Sequence, residues 1–314
     1  MSADLDIIDF HSHYIHPSWT ITTALSGDQA NRDRWAKINR DLADREALVA
    51  DIDSGDIAGR VVNSPTAFIE KEDGRFPDDA PSRLNDQLAE LVATRPHQLF
   101  ALATVDTFGG DAAARELHRA VTDLGFKGVF LASGRGDLLV NAPQARPVLA
   151  AAAELEVPVF LHPINPQPLT NQLEPLGRIG TLLARGTVNS AALAALITDG
   201  VFDELPKLKV VVTNLAIAGI LLAAAYDKHP EGRSDAATVL RRQVYADTMG
   251  FNPVVIRSLV DTLGADHVLA GSDWPIVSTG PIAARLATTL EAANIGRADR
   301  QSIAGANIRR LMRL

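Results

Sequence analysis

The chain has 314 residues, with 46% hydrophobic and 22% charged side chains, an ordinary globular balance that excludes a disordered or collagen-like polymer. Lys plus Arg is 30 and Asp plus Glu is 38, a net charge of −8 that argues against a general nucleic-acid or anionic-membrane surface, since both need clustered positive charge. Cysteine is absent, which excludes disulfides, thiolate zinc clusters, iron–sulfur centres and a cysteine nucleophile.

The first residues, Met1-Ser2-Ala3-Asp4, are acidic and lead straight into a strand-like run, with no signal-peptide pattern. The longest apolar stretch read from the sequence, Leu215 to Tyr226, is shorter than the ~20 residues needed to cross a bilayer. A soluble, cytoplasmic protein is expected.

Strand-like runs recur at Leu5–Phe10, Ile57–Asn63, Leu99–Val105, Phe126–Ala132, Val157–His162, Lys209–Asn214, Gln243–Thr248 and His267–Asp273. Several are almost unbroken apolar segments, the pattern of parallel strands covered on both faces. Between them lie stretches with helical spacing. Leu84, Leu88, Leu91 and Val92 share one face of Arg83–Arg95, and Val255, Leu259, Val260 and Leu263 share one face of Pro253–Gly264. The alternation predicts an α/β fold of eight strand–helix units, a (β/α)8 TIM barrel forming a single domain over 1–314. An open doubly wound sheet is the alternative, disfavoured because no Gly-x-Gly-x-x-Gly turn follows the first strand. The extra length sits in long loops after strands 1 and 5, from Ser12 to about Gly55 and from Pro163 to about Pro206. In a barrel both lie on the C-terminal rim, where chemistry sits.

What occupies each strand's C-terminal end is therefore informative. The first strand runs into His11-Ser12-His13, whose imidazoles share a face because side chains alternate. The fifth ends at His162 and the eighth at Asp273. In a closed barrel strands 1 and 8 are neighbours and strand 5 lies across the opening, so the four side chains converge at the mouth. Three imidazoles and a carboxylate suit a catalytic Zn2+, with Mn2+ or Fe2+ as alternatives. Each has a plainer reading: an exposed loop histidine, a hydrogen-bonded strand-end histidine, or a helix N-cap for Asp273. His16, His97, His118, His229 and His267 lack such placement and read as surface residues, His267 at the opposite rim.

The segments Ile8-Asp9-Phe10-His11-Ser12-His13, Val159-Phe160-Leu161-His162-Pro163 and Val268-Leu269-Ala270-Gly271-Ser272-Asp273-Trp274-Pro275 resemble the amidohydrolase-related TIM-barrel enzymes. The nearest branch holds aminocarboxymuconate semialdehyde decarboxylase and related aromatic-acid decarboxylases. The likeness continues through Leu205–Val210, Val244–Thr248 and Ala304–Leu311. It implies that His11, His13, His162 and Asp273 ligate a metal, usually zinc. It also exposes a departure, because the family's histidine at the end of strand six is replaced here by Asn214. An amide can orient water or a substrate oxygen but does not act as a general base.

Two reactions fit this equipment: nonoxidative decarboxylation of a small aromatic or unsaturated acid, or hydrolysis of a lactone, ester or amide. A metal-binding barrel without activity is a third reading, kept open by Asn214. Asp273 is the first choice for acid–base work, and His16 is a candidate for the proton function that Asn214 lacks. Arg34, Trp35, Arg135 and Trp274 are the candidates for gripping a small anionic, planar substrate, each Arg being otherwise an ordinary surface charge. The helices rich in Ala and Leu (Ala145–Leu155, Leu215–Tyr226) serve barrel packing or a homodimer contact equally well.

Overall fold

In the computed structural model, the described residues are 5–19, 29–65, 76–77, 79–226, 233–278 and 280–314. His229 lies outside them. Parallel strands run in chain order as β1 (Ile8–His13), β2 (Gly59–Asn63), β3 (Leu99–Ala101 continuing in Ala103–Thr104), β4 (Val129–Ala132), β5 (Val159–His162), β6 (Val210–Val212), β7 (Val244–Asp247) and β8 (Val268–Leu269). β3 hands the sheet on at Leu102. Its first half pairs with β2 and its second half with β4, while the Leu102 amide donates to Val62 O at 3.0 Å. The sheet closes where Phe10 N donates to Ala270 O at 2.8 Å and His13 N to Trp274 O at 2.8 Å. The expected barrel is present, and the long loops follow strands 1 and 5.

Alternation decides what fills the barrel. Ile8, Phe10, Val61, Phe100, Leu102, Phe130, Phe160, Val211, Tyr245 and Leu269 form an inner cluster, sealed from below by Ile308, Leu311 and Met312 of the C-terminal helix Asn307–Met312. Phe10 and Phe160 meet edge to face at 5.2 Å, a favoured aromatic geometry. Strict alternation would turn His11 away from the side of Phe10. A register shift between Asp9 and Ser12 breaks that alternation. His11 accordingly lies against Phe160, with ring centroids 4.8 Å apart, as Phe10 does. Bulges commonly re-aim a side chain in this way beside functional sites.

Outside the strands, a larger apolar layer holds the helices. The helix Pro253–Leu263 begins where the Asn252 side chain accepts from Val254 N and Val255 N, and it ends at Gly264, whose φ of +102° suits glycine. It buries Ile256, Leu259 and Leu263, so its inner face is turned slightly from the expected one. Val255 and Val260 pack at its margin.

Two expectations need correcting. His267 is buried, with Nδ1 2.7 Å from Val244 O and its ring stacked on Tyr245 at 4.1 Å. Burial lowers its pKa, so it is a neutral core imidazole and not a surface residue. The reading that no apolar segment is long enough to span a bilayer also changes, because the helical run Leu169–Thr198 spans 30 residues and is apolar enough, by length and composition, to cross a membrane. Here 44% of its apolar window is buried in the fold. Its Asn189 also bonds to Leu161 O, Ser133 Oγ and Thr213 Oγ1 at the strand ends, which makes it a rim helix of the barrel.

Candidate active site

β1 delivers His11 and His13, β5 delivers His162, and the turn after β8 delivers Asp273. The ligand atoms of the three histidines lie within 4.8 Å of one another. His13 Nε2 is 3.0 Å and His11 Nε2 3.4 Å from Asp273 Oδ1. Asp273 holds a φ of +56°, a left-handed conformation that aspartate tolerates better than most residues. Close approach of three strands makes Gly271 necessary. A Cβ there would stand 2.9 Å from Asp247 Cβ and 3.0 Å from His11 Cβ.

Hydrogen bonds at the far side of each ring decide the tautomers of His11 and His13. His11 Nδ1 lies 2.6 Å from Asp247 Oδ2, and an ionised carboxylate only accepts, so Nδ1 carries the proton. His13 Nδ1 faces Asn63 Oδ1 at 2.8 Å. The Asn63 amide is oriented by its Nδ2 donating to Ser12 O at 3.2 Å, so His13 also donates from Nδ1. Both Nε2 lone pairs therefore face each other across 3.2 Å, beside a carboxylate oxygen. Such an arrangement repels itself unless positive charge lies among the donors. This donor set, three imidazoles and a carboxylate with their outer nitrogens tied down, fits a divalent transition-metal ion.

The electrostatics of the site agree. Burial works to lower the His11 pKa, but Asp273, Asp247 and Asp9 outweigh it and the pKa rises. Burial alone would raise the Asp273 pKa, yet His11, His13 and Arg185 hold it below the usual carboxylate range. His162 is pushed well below the ordinary imidazole value by burial, then by Arg185, His13 and His11. It is available as a neutral donor.

The other candidates are placed as follows. Asn214 donates its backbone N–H to Asp247 Oδ1 at 2.9 Å and its side-chain amide to Met249 O, so it steadies the group that steadies His11. It also lines a groove of about 1000 Å3 between the helices Gly177–Thr198 and Ile217–Tyr226. His16 is half-buried, and its Nδ1 accepts from Ser18 N at 3.2 Å, which leaves the ring proton on Nε2. Arg34 donates to Ile276 O at 2.8 Å, lies over Trp35 at 5.4 Å and is coupled electrostatically to Asp273. Trp35 packs with Trp19 on the small core of Ile15, Ile38 and Leu42. Arg135 pairs with Asp106 at 2.6 Å. Trp274 is only 4% exposed, with the Arg60 guanidinium 5.1 Å over its ring.

Sequence reasoning passed over Asn63, Arg60 and Arg185. Asn63 ends a predicted strand, so extending the inventory of strand ends to amides would have found it. Arg60 and Arg185 carry no local signal.

A family model described as amidohydrolase matches residues 8–314. The chain belongs to the amidohydrolase family. The gamma-resorcylate decarboxylase of Rhodococcus jostii (strain RHA1) is 30% identical to this amidohydrolase over 261 residues, covering 75% of this chain and 77% of the relative. That of Rhizobium sp. (strain MTP-10005) is 29% identical over 252 residues, covering 74% and 75%. Among solved structures, a dihydroxybenzoic acid decarboxylase from Polaromonas sp. JS666 with bound manganese and 2-nitroresorcinol superposes with a TM-score of 0.83. It is 23% identical and covers 99% of this chain and 97% of its own.

The supports of the ligands give a direct expectation. Asp247→Ala leaves His11 free to rotate and to change tautomer, so metal affinity should fall about 10–100-fold. Competition titration against a chromogenic chelator measures it, and an affinity equal to wild type would show that Asp247 does not orient His11.

Proposed function

We propose that this amidohydrolase is a metal-dependent decarboxylase that releases carbon dioxide, without an oxidant, from a small aromatic acid. The observation that carries the reading is the convergence of His11, His13, His162 and Asp273 at the barrel mouth. Relatives named as decarboxylases of hydroxylated aromatic acids support it. The four side chains would hold the ion, zinc being the first expectation from the nitrogen-rich donor set and manganese the second. When bound, the ion supplies a Lewis acid that polarises an oxygen of the substrate.

The remaining steps belong to the chain. Arg34 and the cationic edge of the mouth attract the anionic acid. Asp273, held ionised by its neighbours, takes a proton and passes it to the ring carbon bearing the carboxylate. The carbon–carbon bond then breaks, its electron pair returns to the ring, and carbon dioxide leaves, so the acid anion plus one proton yields the arene plus carbon dioxide. His16, with its ring proton on Nε2, is our proposed donor for recharging Asp273.

Carbon dioxide release from salicylate and dihydroxybenzoates by the metal-loaded protein tests the reading. Acid release from lactones or esters without carbon dioxide would overturn it in favour of hydrolysis, and no reaction with either panel would favour a barrel without activity. Elemental analysis of the purified protein should show about one ion per chain, since one such donor cluster completes one site. His16→Gln should reduce kcat about 10²-fold with metal content unchanged, and an unaltered rate would remove His16 from the proton path.

A further inference from the structure

Arg185 stands on the rim helix Gly177–Thr198, where the sequence offers no motif. That helix is registered on the barrel by Asn189, which donates to Leu161 O at 3.0 Å and Ser133 Oγ at 2.9 Å and accepts from Thr213 Oγ1 at 2.9 Å. The face bearing Asn189 therefore looks onto the C-terminal ends of β4, β5 and β6. Arg185 lies four residues earlier and so shares that face, one turn away. Its neighbour Gly186 packs tightly on the turn after β6, where an added Cβ would sit 2.9 Å from Leu215 O. Nη1 donates to Asn165 Oδ1 at 3.2 Å, three residues past His162. Among the described residues, no carboxylate forms an ion pair with this guanidinium.

These placements put a cation over the gap between the ends of β5 and β6. The charge is felt at the site, since Arg185 and Asp273 interact electrostatically. A half-buried guanidinium that, among the described residues, binds one amide oxygen keeps most of its donors for another acceptor.

We propose that Arg185 receives the carboxylate of the substrate on the β5–β6 side of the mouth. This rests on the reading of the site as one for a small aromatic acid, and it names the residue that makes the site select the acid over its neutral isostere. A cation that donates two parallel N–H groups favours a carboxylate, whereas an amide of the same shape gains far less.

Calorimetric titration of the metal-loaded protein with salicylate and with salicylamide tests the assignment. Wild type should bind salicylate more tightly. Arg185→Gln should weaken salicylate at least about tenfold while leaving salicylamide within about twofold, because a charged hydrogen bond is lost from one ligand only. Arg185→Lys should recover part of the loss, and metal content should match wild type in both variants. Equal weakening of both ligands, no change in either, or a wild type with no preference for the acid would each overturn the assignment. Should the binding pattern appear without carbon dioxide release from any hydroxybenzoate, the decarboxylase reading fails and the role of Arg185 stands.

Discussion

Replacing Asp273 with Asn should lower kcat about 10²–10⁴-fold, the usual range when a positioned acid–base group is removed. Asn is close in shape and tolerates the left-handed backbone that Asp273 adopts at φ +56°, so the turn after β8 should persist. What disappears is the negative charge and the exchangeable proton. Asp273 Oδ1 lies 3.0 Å from His13 Nε2 and 3.4 Å from His11 Nε2, and its charge is the leading attraction that raises the His11 pKa. In the Asn variant the His11 pKa should therefore fall. Steady-state kinetics with metal content measured on the same sample checks the prediction. A fully metallated Asn variant turning over within about threefold of wild type would show that Asp273 is not the proton carrier.

Replacing Arg60 with Met should destabilise the protein by about 3–5 kcal/mol, the cost of leaving buried partner charges uncompensated. Arg60 is fully buried and donates to Asp9 Oδ2 at 2.6 Å, to Ser12 Oγ at 3.1 Å and to Asp51. Asp9 in turn accepts from Ser272 N at 2.9 Å and Ser272 Oγ at 2.6 Å, which ties β1 to the segment that bears Asp273. Without the guanidinium, two carboxylates face each other in the interior. Methionine fills most of the volume, so the loss reports charge more than a cavity.

Acid should relieve this defect. Burial already raises the Asp51 pKa, with Asp56 and Asp9 adding to it while Arg60 opposes. Removing Arg60 raises it further. A carboxyl whose folded pKa lies above its unfolded value favours the fold at low pH and loses that contribution as pH climbs through the folded pKa. The gap between variant and wild type should thus narrow on acidification from neutrality toward the carboxylate range. Urea denaturation at several pH values measures it. A pH-independent gap would assign the loss to packing, and a gap below about 1 kcal/mol would show that the ion cluster is not a structural tie.

How much of this was readable beforehand depends on the kind of interaction. The strands could be read because a parallel strand buried on both faces needs an apolar run, and Val210–Val212 or Val159–Leu161 has no other comfortable place. The four putting their donors at one mouth could be read because β-strands of one barrel all end on the same rim, and His11, His13, His162 and Asp273 stand at such ends. His267 was misplaced because local spacing does not register that a ring stacks on Tyr245 and bonds a carbonyl of the adjoining strand.

Chain chemistry by itself determined the repeated strand–helix order, the absence of thiol chemistry, and a set of nitrogen and oxygen donors at strand ends. Those follow from short-range rules: side-chain period, burial preference and ligand type. Only the tertiary structure decided that a register shift turns His11 inward, that Asp247 and Asn63 choose the tautomers, and that Arg185 is coupled electrostatically to Asp273 from a distant helix. Each of these joins residues far apart in the chain, and their energies depend on distance and burial, which arise only once the barrel has closed.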